Sequence, residues 1–130
     1  MAVQKTIIKN ENMRAVVHLI GTEAGDSSTI ALTELLNSHQ TSSGTTSLTV
    51  NIANAQCNVA SSIIIRRGNS TGTIVLYMFA ESEFPGGQQI PALAINNTSS
   101  IHVSWSQPGM LILDLRKIAG YESPNYNVGV

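Results

Sequence analysis

The sequence predicts an all-β chain folded as a single antiparallel β-sandwich of about eight strands, jelly-roll-like or immunoglobulin-like, with extended termini. Three observations carry this. Short runs rich in Val, Ile, Thr and aromatic residues recur about every ten to fifteen residues, separated by clusters of Gly, Ser, Asn and Pro. Several of these runs alternate apolar and polar residues with the period of two that marks a half-buried strand. Helical spacing is confined to "LTELLNSH", where Leu32, Leu35 and Leu36 share a face, enough for one or two turns.

Taken in order, the expected strands are "QKTIIK", "RAVVHLI", "STIAL", "SLTVNI", "SIIIRR", "TIVLYMFA", "SIHVSWS" and "MLILDLRK". In the last two, Ile101, Val103, Trp105, Leu111, Leu113 and Leu115 fall on the core side, while His102, Ser104, Ile112, Asp114 and Arg116 fall on the other. The linking "SQPGM" carries a Pro-Gly pair that favours a tight hairpin. "TIVLYMFA" is apolar on both faces, so it is either a central strand covered on both sides or a strand whose outer face meets another subunit.

At 130 residues and 13.8 kDa the chain is long enough for one domain with a real core and no need of disulfides or metals. The expected domain covers residues 1–118, followed by a C-terminal arm over 119–130. Charged residues make up only 12% of the chain, with 7 Lys and Arg against 8 Asp and Glu, and these are scattered. A nucleic-acid binder needs a basic face to neutralise phosphates, so DNA and RNA are not expected partners. The longest apolar run is "IVLYMFA", far short of the roughly 20 residues that span a bilayer, so no membrane partner is expected. The lone Cys57 has no disulfide partner, and "MAVQKTIIKN" is polar where a secretory signal would be apolar; synthesis in a reducing cytoplasm is the expectation.

No residue pattern points to catalysis, a metal or a cofactor. His18, His39 and His102 are too widely spaced for a recognisable ligand set, and Cys57 in "NAQCNVA" reads as a small buried hydrophobe. His18 and His102 read as exposed or hydrogen-bonded strand residues. Glu81 and Glu83 are the closest carboxylates, in a segment that reads as a solvated loop before "PGG". Arg66 and Arg67 read as a charge pair beside a turn. The stretch "ESEFPGGQQIPALAINN" is long for a sandwich connection, and Phe84, Ile90 and Leu93 are its candidate anchors on a partner. The ending "GYESPNYNVGV" is too apolar for a solvating tail and too irregular for a strand. Tyr121, Pro124, Tyr126, Val128 and Val130 are therefore expected to order on a neighbouring subunit.

From the early strand region "NMRAVVHLIGTEAGDSSTIAL" to the final "INNTSSIHVSWSQPGMLILDLRK", the chain resembles small virion structural proteins of tailed bacteriophages, particularly those of cyanobacteria and other marine bacteria. The likeness is one of architecture and spans most of residues 1–118. It implies a non-enzymatic β-sandwich that decorates or cements a capsid, or sits at the neck, tail or fibre, and that is located in the virion after synthesis in the host cytoplasm. The implied partners are the major capsid protein, copies of the chain itself in a homo-oligomer, or both. A carbohydrate-binding sandwich module is the reading from another class, with Trp105 and Tyr77 as candidate stacking platforms. The position of Trp105 in the alternation of Ile101 and Val103 argues against it.

Overall fold

The computed structural model describes residues 3–38, 40–42, 47–84 and 98–122; for residues 73, 75 and 80–84 the description covers the backbone alone. The chain is all-β. Its strands are β1 (Gln4–Asn10), β2 (Arg14–Gly21), β3 (Ser27–Ile30), β4 (Thr41–Ser42), β5 (Thr49–Arg67), β6 (Thr73–Phe84), β7 (Ile101–Trp105), β8 (Gly109–Ala119) and β9 (Tyr121–Glu122). The expected helical turn is a single turn of 3-10 helix, Leu32–Leu35. Glu34 closes its first turn by accepting a 2.9 Å hydrogen bond from the Ala31 amide.

All principal pairings are antiparallel. The main sheet runs β1-β2-β8-β5-β7-β3, with β6 beside β5, and β4 pairs separately with β9. The long β5 organises the rest. Along one edge, its first part (Thr49 to Val59) pairs with β8, and its last part (Ile63 to Arg67) pairs with β7. Along the other edge it pairs with β6 from Ala55 to Arg67. Segments 47–52 and 62–67, expected as two strands, therefore belong to one.

The hairpin expected at "SQPGM" does not form. β7 and β8 do not pair with each other; they follow one another along β5 in the same direction. Residues 106–108 bridge them across a bend in β5, held by Ser106 N–H to the Ser62 carbonyl (3.0 Å) and Ala60 N–H to the Pro108 carbonyl (3.3 Å). β2 and β3 repeat the arrangement, β2 pairing with β8 and β3 with β7, with residues 22–26 crossing the bend. At the same level β5 shifts register against β6 between Asn58 and Ser62, and the sheet curls on itself. Gly109 is required at the corner, because a Cβ there would lie 2.5 Å from Cα of Val59.

The curl closes around one apolar cluster. The six residues expected inside from the last two strands, Ile101, Val103, Trp105, Leu111, Leu113 and Leu115, are all buried, as is Cys57. Burying each Leu contributes about 1.5–3 kcal/mol relative to leaving it exposed. Trp105 fills the corner: its amide donates to the Asp26 carbonyl (2.8 Å), and its carbonyl accepts from Gly25 (2.9 Å). Asp26 is itself buried. Burial opposes its ionisation, but hydrogen bonds from the Glu23 and Thr22 amides outweigh this and hold the carboxyl below its ordinary range.

Two expectations on these strands need correction. His102, placed on a wet face by the alternation, is only 8% exposed, and of the two roles expected for it the hydrogen-bonded one is found: its Nδ1 lies 2.9 Å from Oγ1 of Thr29. Burial, with the Arg66 charge beside it, holds its pKa below the ordinary value. β8 does not end its inward alternation at Leu115, because Lys117 is buried too.

Candidate interaction surface

β6 carries the one run of large apolar side chains on an outer sheet face among the described residues. Ile74, Tyr77 and Phe79 are 48%, 47% and 61% exposed, whereas Met78 points into the core. The pairing with β5 explains how so apolar a strand shows one greasy face outward. Between the Arg66–Ile74 and Ile65–Leu76 pairs the register shifts by one residue, at Val75. This bulge leaves Ile74 and Tyr77 on the same side although they are three positions apart. The Tyr77 and Phe79 rings pack with centroids 4.7 Å apart at an interplanar angle of 31°.

The strand is also an edge. Among the described residues β6 pairs with β5 alone, and from Thr73 to Ala80 it holds no charged residue and no proline. Those are the devices that ordinarily blunt an open edge against pairing with another chain. The sequence left two explanations for the apolar strand open, and the exposure of Ile74, Tyr77 and Phe79 removes the one in which both faces are covered by this chain's described residues.

The start of the expected arm behaves differently. Tyr121 is partly buried and packs against the core of its own chain, and its hydroxyl donates a 2.6 Å hydrogen bond to the Leu32 carbonyl. Its backbone belongs to β9, paired with β4, and the boundary expected at 118/119 falls inside β8. Beside it lie two buried cations. Lys117 Nζ donates to Asn10 Oδ1 (2.6 Å), the Glu11 carbonyl (2.7 Å) and Gln40 Oε1 (2.7 Å), and sits 5.0 Å from the Tyr121 ring centroid. Burial pushes its pKa down to about 8. Arg67 donates to the Val50 carbonyl (2.8 Å) and, from Nη2, to the Ser99 carbonyl (2.7 Å). Burial lowers it to about 10, and the same burial raises the Tyr121 hydroxyl. Read from the sequence as a turn-flanking charge, Arg67 is instead an internal strut.

Of the other residues expected at a subunit interface, Phe84 ends β6, with its side chain outside the described residues. Ile90, Leu93, Pro124, Tyr126, Val128 and Val130 lie outside them altogether, as does His39. Trp105 is 1% exposed and offers no stacking platform; Tyr77 does stand on the surface. Among the described residues, no three His, Cys, Asp or Glu side chains come together. No helix there is long and apolar enough to cross a membrane.

No known family profile matches the chain, and no curated protein matches it in sequence. Three solved structures are similar to it in shape. A cupin superfamily protein from Desulfitobacterium hafniense DCB-2 is 9% identical, with a TM-score of 0.39 over 91% of this chain and 79% of that one. An RmlC-like cupin from Shewanella frigidimarina NCIMB 400 is 10% identical, with a TM-score of 0.39 over 90% and 77%. An uncharacterized conserved protein with a double-stranded β-helix domain from Klebsiella pneumoniae subsp. pneumoniae MGH 78578 is 11% identical, with a TM-score of 0.39 over 92% and 82%.

Proposed function

We propose that this chain is a non-enzymatic structural protein that assembles through the outer face and open edge of β6, with a second copy of itself as the first contact. The observation that carries the reading is the exposed trio Ile74, Tyr77 and Phe79 on an edge strand that is uncharged from Thr73 to Ala80. Two such strands meeting antiparallel about a two-fold axis place apolar residues against apolar residues, with no like-charge repulsion. The curled sheet, bent along the line that Trp105 fills, closes in this reading as a sandwich of about eight strands with jelly-roll connections. The setting implied by the resemblance to phage virion proteins is a particle surface, where the homo-oligomer decorates or cements the major capsid protein. There, modest contacts repeated by symmetry add up.

The test is intermolecular crosslinking. With Cys57 buried and shielded, a Tyr77→Cys variant treated with a short bis-maleimide is expected to give a covalent dimer. A Gln4→Cys variant, with its thiol on the exposed first strand, is expected to stay monomeric. Equal yields from both positions would overturn the assignment of the contact to β6.

A further inference from the structure

β3 is the terminal strand of the main sheet, and among the described residues its four residues pair with β7 alone. One row of cross-strand neighbours runs inward from it: Thr29 opposite His102, His102 opposite Arg66, and Arg66 opposite Ile74. His102 lies in the middle of this row, buried, with its ring against the Thr29 hydroxyl.

The charges around His102 are one-sided. On β5, the half-buried Arg66 is its direct neighbour. On β3, Thr29 is neutral, and its backbone carbonyl accepts a 3.1 Å hydrogen bond from Lys5 Nζ of β1. Glu34, from the 3-10 turn, is engaged by the same Lys5 in an ion pair. On β6 the row ends at Ile74, while Glu81 and Glu83 belong to the far end of that strand, paired with Asn58 and Gln56. The Thr29 hydroxyl does not choose between the two forms of the ring, since it can donate to a neutral Nδ1 or accept from a protonated one. Burial opposes the charged ring, and so does Arg66, because like charges directly opposite in an antiparallel pair repel.

We propose that His102 is an acid-sensitive clasp on β3: protonation places a second cation opposite Arg66 in a buried site, and β3 parts from β7 to let the ring reach water. The open form binds the proton more tightly than the closed one. Closure is therefore at full strength above the ordinary histidine value of about 6.5 and weakens as the pH falls below it. Four residue pairs have to separate. Their release leaves backbone N–H and C=O groups of β7 unpaired, so in acid the sheet gains an open edge that it lacks at neutral pH. The clasp does not depend on what β6 contacts.

Amide hydrogen exchange on the full chain from about pH 7.5 to about pH 5, with each rate divided by the intrinsic rate at that pH, tests the proposal across the histidine range. Protection of the β3 amides is expected to fall over this range while that of β8 holds. His102→Gln keeps a polar partner for Thr29 and cannot take up a proton, so its β3 protection is expected to stay level. Arg66→Gln removes the repulsion and is expected to make the fall smaller and to raise the pKa of the His102 ring in a proton NMR titration. If His102→Gln does not fold, the native protein and Arg66→Gln decide the matter between them. Level β3 protection in the native protein, an equal fall in β8, a fall that persists in His102→Gln, or an undiminished fall in Arg66→Gln would each overturn the proposal.

Discussion

Lys117 Nζ donates a 2.7 Å hydrogen bond to Oε1 of Gln40, tying the end of β8 to the segment just before β4 across 77 positions of sequence. Both residues are buried. Gln40 passes the link on, donating from Nε2 to the Asn12 carbonyl at 2.7 Å, so the β1–β2 turn, β8 and the β4 region share one polar knot. The knot has acceptors in plenty but no described carboxylate on the ammonium, which is why burial dominates the titration of Lys117.

That titration predicts a pH dependence of stability. Folded Lys117 loses its proton near pH 8, while the unfolded chain keeps it to about 10.5. Between these values the unfolded state holds more protons, so folding strengthens as pH rises. The gain is at most about 3 kcal/mol, and the three acceptors, which favour the ammonium, reduce it. Above about pH 10 the trend is opposed by Tyr121, whose hydroxyl stays protonated only in the fold. Urea denaturation from pH 7.5 to 10 is expected to show the rise in the native protein and a flat profile in Lys117→Met.

Gly21 and Trp105 meet face to face. A Cβ on residue 21 would lie 2.7, 2.8 and 2.9 Å from three indole carbons, and the indole is locked in the corner of the sheet. Gly21→Ala is expected to cost about 1–3 kcal/mol by overpacking, read from the denaturation midpoint, with a shift in Trp105 fluorescence.

Tyr121 separates two truncations. Tyr121→Phe removes the hydrogen bond to Leu32 and is expected to cost about 1 kcal/mol. Tyr121→Ala also empties its packing site and is expected to cost about 3 kcal/mol. Ending the chain after Ala119 is expected to destabilise the fold at least as much as Tyr121→Ala. Ending it after Glu122 keeps every contact described for β9 and is expected to cost far less, as measured by melting temperature.

The residues that made the fold legible are those whose neighbours are set by a period of two. Leu111, Leu113 and Leu115 alternate with polar or half-buried partners, and each faces inward as expected. The middle of β5 was harder, because "ANAQCNVA" is built of small and polar residues with low strand propensity. Its signal was still present: Ala55, Cys57 and Val59 alternate inward against Gln56 and Asn58. The course of β7 and β8 along β5 was hidden because a Pro-Gly pair fits a bend as well as a hairpin. Lys117 and Arg67 were hidden for another reason. A cation reads as solvent-facing unless its acceptors are known, and these come from residues 10, 11, 40, 50 and 99. On the candidate surface, the two-sided apolarity of β6 was legible, while the bulge that sorts Ile74 and Tyr77 onto one face was not.

The central claim, assembly through β6, is tested most directly by sedimentation velocity of the native protein beside Tyr77→Lys and Phe79→Lys over a range of concentrations. Both side chains stand on the surface, so the substitutions are expected to leave the melting temperature nearly unchanged. The account predicts that the native protein sediments as a dimer or larger species and that either lysine variant shifts it to monomer, because two introduced charges meet across the two-fold axis. A native protein that stays monomeric throughout, or lysine variants that associate as strongly as the native protein, would contradict it.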